Sequence, residues 1–155
     1  MVDGRALRLR PCKGTADGRT IRGLTERNFR ASFERTIGWD AARHAKQPEH
    51  PERYTMIVDR EDAVGFYSIR EEPDALYLET LQLTAAYRNR GIGTRLMAHI
   101  EWVAYAAGKR CIQLRVFKDN PAMRLYARLG FAVVEDQGWC LLMAKDLGRS
   151  EDRAR

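Results

Sequence analysis

The sequence predicts a single domain of the mixed α/β class. Its 155 residues, 45% hydrophobic and 31% charged, are typical of one globular domain that can bury a core of its own. Segments that alternate apolar and polar residues, as strands do, recur along the chain, and segments of helical spacing separate them. We expect the domain to span residues 1–147 and a polar, flexible tail to occupy residues 148–155.

The first part of the chain predicts a strand, a helical region and a hairpin. Ala6–Arg10 alternates and stops at Pro11, as a short strand does. Apolar residues recur at helical spacing from Asp17 to Ile37, which predicts one or two helices. Tyr54–Val58 and Ala63–Ile69 resemble strands on either side of the polar turn 59–62 and are expected to pair as a hairpin.

The second part predicts a strand–helix–strand crossover followed by further elements. The strand Ala75–Leu83 leads into a helix from about Gly93 to Ala107, and a strand follows at Cys111–Phe117. Such a crossover makes its two strands parallel neighbours. The remaining predictions are a helix opened by Asn120 and Pro121 that runs through Leu129, and strands at Phe131–Val134 and Trp139–Met143.

A basic, glycine-containing segment lies between the first crossover strand and its helix. Arg88–Thr94 reads Arg-Asn-Arg-Gly-Ile-Gly-Thr and contains no acidic residue. Glycines let backbone N–H groups turn toward a ligand, and a helix N-terminus adds partial positive charge, so the segment suits a diphosphate. A Walker loop would need Lys-Ser/Thr after Gly93, and a dinucleotide fingerprint would need a third glycine. A plain basic turn that caps a helix remains open on these residues alone.

Two motifs together resemble the GNAT superfamily of acyl-CoA-dependent N-acyltransferases. Arg88, Gly91 and Gly93 match its motif Arg/Gln-x-x-Gly-x-Gly/Ala, and the segment from Asn120 to Phe131 is similar to its second hallmark, Asn-x-x-Ala-x-x-Leu-Tyr-x-x-x-Gly-Phe. The alanine of that hallmark is displaced by one or two places. The resemblance covers roughly residues 76–131.

The resemblance implies the GNAT fold, a mixed and mostly antiparallel central sheet with one parallel strand pair, flanked by helices. It implies acetyl-CoA as acyl donor and an amine-bearing acceptor, either a small molecule or a protein amine. The coenzyme-binding residues that it implies are Leu81, Leu83, Arg88, Asn89, Arg90, Gly91, Ile92, Gly93, Thr94, Asn120 and Tyr126.

Two residues are candidates for the proton transfers of such a reaction. Tyr126 occupies the place where the family commonly carries the tyrosine beside the thioester sulfur, and it is the candidate proton donor to the leaving thiolate. Glu79, an acid on an otherwise apolar strand, is the candidate base for the amine. Alternatively Tyr126 is a core aromatic, and Glu79 pairs with an arginine or binds a cationic acceptor.

The acceptor site is less defined by the sequence. Trp39 and Asp40 follow the predicted helices, and an aromatic ring beside an acid suits a cationic amine. Packing of the tryptophan and solvation of the acid would explain both residues equally well. No His, Asp or Glu cluster has the spacing of metal ligands, and Cys111 lies in a predicted strand, so direct transfer without a metal is expected.

Charge and composition limit the competing functions. The 27 basic and 21 acidic residues give a net charge of +6, which suits an anionic partner such as coenzyme A. A nucleic-acid-binding module and a non-catalytic coenzyme sensor remain alternatives, although no nucleic-acid-reading motif is present. No apolar run approaches the ~20 residues of a membrane span, and a charged start with three unpatterned cysteines predicts a cytoplasmic protein. The resemblance also allows a homodimer.

Overall fold

The computed structural model describes residues 6–148 and consists of a mixed sheet with helices. The predicted tail therefore lies, apart from Gly148, outside the described residues. In chain order the elements are β1 (Arg8–Pro11), α1 (Gly14–Arg35), α2 (Ala41–His44), β2 (Tyr54–Asp59), β3 (Asp62–Glu71), β4 (Ala75–Leu83), α3 (Ile92–Ala106), β5 (Cys111–Phe117), α4 (Ala122–Arg128), β6 (Ala132–Asp136) and β7 (Cys140–Asp146), with short 3₁₀ turns at Pro51–Arg53 and Ala85–Tyr87.

The seven strands form one sheet in the order β1-β2-β3-β4-β5-β7-β6. β4 and β5, which α3 connects, pair in parallel, as the crossover predicts. The pairs β1–β2, β2–β3, β5–β7 and β6–β7 are antiparallel. The predicted fold class is confirmed, and both crossover strands have the predicted bounds.

Several element boundaries differ from those predicted, each for a local reason. α1 begins at Gly14, not Asp17, because the Asp17 carboxylate binds back to the helix start. The four-residue helix α2 lies beyond the predicted helical region and is capped by Asp40. β7 extends to Asp146 because it pairs with β5 along its whole length. β1 includes Pro11, whereas the predicted strand stopped at Arg10. Because β1 lies at the edge of the sheet, the missing N–H of Pro11 costs no sheet hydrogen bond.

The chain divides into two compact units, the first of which contains the residues up to Ser68 together with Thr80–Arg90. Its core forms where the apolar stripe of α1 meets β2 and β3, because both strands bury alternate residues against that stripe. The residues of this core are Ile21, Leu24, Met56, Val58 and Phe66.

The second unit contains Ile69–Glu79 and the residues from Gly91 onward. Here α3 packs against β5 and buries residues at helical spacing, as an amphipathic crossover helix does. The main buried side chains on these two elements are Leu96, Met97, Ile100, Ala104, Ile112, Leu114 and Val116. The parallel ladder pairs Ala75–Leu78 with Cys111–Leu114, so Glu79 is the first β4 residue beyond it.

A buried carboxylate fixes the start of α1. Asp17 is 5% exposed and accepts hydrogen bonds from Arg10 Nη1 (2.6 Å), Arg10 Nη2 (2.9 Å) and the backbone N–H of Lys13 (2.8 Å). The paired bonds from Arg10 are the main cause that lowers the pKa of Asp17 below its usual value. Asp17 therefore ties β1 to α1 in its charged form.

We expect Asp17→Asn to lower the free energy of unfolding by about 1–2 kcal/mol, because the charged hydrogen bonds to Arg10 become neutral ones. Since the folded-state pKa of Asp17 is lowered, the stabilisation is complete above the ordinary aspartate pKa of about 4 and is lost as the pH falls through the folded-state value. Denaturant unfolding at a series of pH values measures both effects. Glu61→Gln, in the exposed β2–β3 turn, is the control and should change neither.

Candidate functional site

The segment that follows β4 is held by the first unit. Tyr87, in the 3₁₀ turn, donates a hydrogen bond of 2.5 Å to the carboxylate of Asp59, which is 6% exposed at the end of β2. The guanidinium of Arg90 lies 5.6 Å from the centre of the Tyr87 ring. Tyr87 thus connects a buried acid on one side to a basic loop residue on the other.

Arg88 and Asn89 have different local roles. The Arg88 guanidinium donates to the side-chain oxygen of Asn28 on α1 and, over 3.3 Å, to the carbonyl of Leu83. Asn89 has a positive φ of 58°, a conformation that asparagine tolerates better than most residues. Leu81 and Leu83 are both half-buried on β4.

Gly91 begins the second unit and precedes α3. Its φ of 76° is left-handed, which favours glycine, and the chain passes from it directly into the helix. No side chain caps this helix start and its first turn holds no acid, so the N–H groups of Ile92, Gly93 and Thr94 lack helical acceptors. The free N–H donors and the helix dipole at this helix start suit an anionic ligand.

Gly93 serves close packing and not an unusual backbone angle. A Cβ atom at this position would lie 3.1 Å from Leu125 Cδ2, which is tighter than ordinary van der Waals contact. Gly91, by contrast, has open space around the position of a Cβ atom but requires a positive φ. The two glycines of the motif therefore have separate physical roles.

Asn120 lies just before α4, and Tyr126 lies within it. The Asn120 side-chain oxygen accepts the backbone N–H of Ala122 (2.9 Å), but Pro121 occupies the cap position, one residue later than predicted. Tyr126 is 7% exposed and its ring meets Phe131 edge-on, with 5.8 Å between centroids. Burial raises the pKa of Tyr126 to about 12. Among the described residues, its hydroxyl has no hydrogen-bond partner.

Glu79 is placed beside an arginine. Its carboxylate lies 4.0 Å from Nη1 of Arg70, which also binds Glu72 over 2.8 Å. The Arg70 guanidinium lies 4.7 Å from the centre of the Tyr77 ring. The structure therefore supplies the arginine partner that the sequence left as an alternative, while the Glu79 side chain stays partly exposed.

Trp39 and Asp40 contact residues of the neighbouring helices α1 and α2. The Trp39 ring stacks on His44 with 3.8 Å between centroids, and Arg30 lies 5.9 Å from the Trp39 ring centre. A side-chain oxygen of Asp40 accepts the N–H of Arg43 and caps α2. A cationic acceptor at Trp39 would have to share the ring with Arg30.

Metal ligation, membrane spanning and cysteine chemistry were the other possibilities that the sequence raised. Residues 6–148 contain no group of three or more His, Cys, Asp or Glu side chains that could hold a metal ion. None of the helices described there is long and apolar enough to span a membrane. All three cysteines are free, and burial raises the pKa of Cys12, Cys111 and Cys140.

Solved structures of similar fold belong to N-acetyltransferases. The PaiA N-acetyltransferase of Thermoplasma acidophilum, crystallised with coenzyme A, superposes with a TM-score of 0.72 at 16% identity, over 91% of this chain and 99% of its own. At that identity, the likeness establishes the fold alone.

Sequence comparison establishes the family. The pattern of the acetyltransferase (GNAT) family matches residues 19–131, and the chain belongs to this family. A mycothiol acetyltransferase of Corynebacterium glutamicum (strain R) is 37% identical over 82 residues, which is 52% of this chain and 28% of the relative. Histone acetyltransferase MCC1 of Arabidopsis thaliana is 29% identical over 112 residues, 63% of this chain and 44% of the relative. The chain thus spans less than half the length of either relative.

Three residues near the basic segment Arg88–Thr94 were not among the functional candidates that the sequence predicted. Asn28 and Tyr87 contact the loop residues Arg88 and Arg90 from α1 and from the 3₁₀ turn. Gln82 is a polar residue at a buried strand position, and that mismatch is the one signal that could have identified it.

Proposed function

We propose that this protein transfers an acetyl group from acetyl-CoA to a primary amine by direct attack on the thioester. The uncapped, acid-free start of α3 after Gly91 is the observation that carries the proposal, because it presents N–H donors where the family motif binds the coenzyme. In this proposal the diphosphate site is completed by Arg88, Asn89, Arg90, Ile92, Gly93 and Thr94. The rest of the coenzyme is contacted by Leu81, Leu83 and Asn120.

In this proposal the amine nitrogen attacks the thioester carbonyl carbon and the C–S bond then breaks. The neutral amine is needed for attack, since an ordinary alkylammonium has a pKa near ~10.4. Glu79 takes the proton that the amine loses, directly or through a water molecule. The backbone of β4 beyond Leu78, where the ladder to β5 ends, supplies N–H donors to the oxyanion.

Tyr126 donates a hydrogen bond to the departing thiolate in this proposal. A pKa of about 12 keeps the phenol protonated at neutral pH, and its hydroxyl has no competing partner among the described residues. Because a thiol has a pKa of about 8.5, full proton transfer from Tyr126 is unfavourable and hydrogen-bond donation is the contribution that it makes.

The cysteines support direct transfer. An acyl-cysteine route needs a thiolate, and burial raises the pKa of each of the three thiols. The two relatives reported above are named for acetyl transfer, one as a mycothiol acetyltransferase and the other as a histone acetyltransferase. We propose that the acceptor is an amine and that Trp39 and Asp40 contribute to the acceptor site.

The proposal is tested by incubating the protein with acetyl-CoA and primary amines: an aminoglycoside, a peptide with a free N-terminus and a lysine peptide. We expect thiol release that depends on one of these amines, with the acetylated amine identified by mass spectrometry. Gly91→Asp should abolish it, because the substitution adds an anion and a side chain at a φ of 76°. Gly91→Ala, which adds only the backbone strain, should retain part of it. Release that no amine stimulates, or that Gly91→Asp leaves intact, contradicts the proposal.

We expect Tyr126→Phe to lower kcat about 10- to 100-fold, because the thiolate loses its donor. The dissociation constant of acetyl-CoA should stay nearly unchanged, and so should the stability, since the hydroxyl forms no hydrogen bond with the described residues. Steady-state kinetics and calorimetry measure the two constants. Tyr105→Phe on α3 is the matched control, and an unchanged kcat for Tyr126→Phe would remove Tyr126 from the mechanism.

We expect Glu79→Gln to lower kcat about 100-fold at neutral pH and to make the rate rise with pH up to the pKa of the acceptor amine, since only free amine then reacts. The pH profile of kcat measures this. Glu72→Gln, which removes the other carboxylate from Arg70, is the control and should keep the wild-type profile. A change confined to the KM of the acceptor would instead assign Glu79 to acceptor binding.

A further inference from the structure

A chain of side-chain hydrogen bonds in the first unit leads to the coenzyme loop. Gln82 on β4 donates through Nε2 to the hydroxyls of Thr25 (3.2 Å) and Thr80 (3.0 Å). Thr25 in turn donates to the carbonyl of Ile21 over 2.8 Å. Asn28 Nδ2 donates to Gln82 Oε1 over 3.1 Å, so α1 and β4 share one polar network.

The network ends at Arg88. Its Nη2 donates to the side-chain oxygen of Asn28, and its Nε donates to the carbonyl of Leu83. The bonds run in one direction, from Arg88 through Asn28 and Gln82 to Thr25, so each amide has one orientation that satisfies both of its neighbours. The remaining guanidinium N–H groups have no partner among the described residues, and Arg88 is an exposed residue.

Burial indicates that the network has a role beyond stability. Gln82 is 4% exposed, and a buried amide contributes to stability only when its polar atoms are paired. An apolar residue of similar size would fill the same position between Leu81 and Leu83 without that requirement. What the amide adds is a fixed attachment for Asn28, and through it for the arginine of the coenzyme motif.

We propose that Asn28 and Gln82 are positioning residues that hold the Arg88 guanidinium ready for the diphosphate of acetyl-CoA. This inference rests on the proposed function. A free arginine side chain samples many rotamers, and holding it in one before the ligand arrives reduces the entropy lost on binding. Asn28 and Gln82 thus set the affinity for the coenzyme without contacting it.

Calorimetric titration of acetyl-CoA into the full chain tests this in a double-mutant cycle. We expect Asn28→Ala to raise the dissociation constant about tenfold, the effect of one hydrogen bond to a charged group. Arg88→Ala should raise it at least as much, and the double variant should bind no more weakly than Arg88→Ala alone. Glu26→Gln, which loses an exposed ion pair with Arg30 on the same helix, is the control and should bind as the wild type does.

A truncated donor separates positioning from a general structural effect. S-acetylpantetheine lacks the diphosphate, so Asn28→Ala should leave its dissociation constant unchanged. Gln82→Met removes the amide but fills its volume, and it should raise the dissociation constant of acetyl-CoA about threefold while the chain stays folded. It keeps the test valid if Asn28→Ala fails to fold.

Additive effects of Asn28→Ala and Arg88→Ala would overturn the inference, and so would equal losses for acetyl-CoA and S-acetylpantetheine. An acetyl-CoA affinity that Gln82→Met leaves at the wild-type value would also overturn it. A wild-type protein that binds no acetyl-CoA would overturn the proposed function together with the inference. The inference alone has failed if the wild-type protein binds acetyl-CoA but the double-mutant cycle shows no coupling between Asn28 and Arg88.

Discussion

The left-handed backbone at Gly91 is the constraint on which the proposed coenzyme site depends. The chain leaves β4, passes through a basic turn and enters α3 within one residue of this glycine, at a φ of 76°. A side chain that bonded to the first turn would cover the N–H groups that Ile92, Gly93 and Thr94 present. A helix that gives up a cap in this way loses some stability and gains a place for an anion.

The buried polar groups of the first unit follow the same logic. Asp59 and Gln82 are almost completely buried, and each is bonded to a residue that adjoins the basic turn, Asp59 to Tyr87 and Gln82 to Asn28. A core built for stability alone would favour apolar side chains at such positions. Polar groups that are buried and paired specify one orientation of the residues that they bond. Here those residues adjoin the basic turn.

Much of the fold could be predicted because apolar residues recur along the helices and strands with the period of each element. β4 and β5 are strand-length segments rich in apolar residues on either side of a helical period, and the structure gives them the predicted bounds. α2 escaped because four residues hold no period, and its start depends on one capping carboxylate, that of Asp40. β7 exceeds its prediction because pairing with β5, not its own alternation, sets its length. Asn28 and Gln82 lie 54 residues apart, so no local pattern could associate them. Arg88 and Gly91 could be identified as candidate coenzyme-binding residues because they lie close together in the sequence, within one motif.

Calorimetric titration of the wild-type chain with acetyl-CoA, at low and at high salt, tests the central claim most directly. Backbone N–H donors and hydrogen-bonded arginines act at short range, whereas dispersed surface charges are screened beyond about 8 Å at physiological ionic strength. The proposed site predicts saturable binding of one coenzyme per chain with an affinity that added salt reduces only slightly. No binding, or binding that salt abolishes, would contradict it and would return the basic loop to the role of a general anion-binding surface.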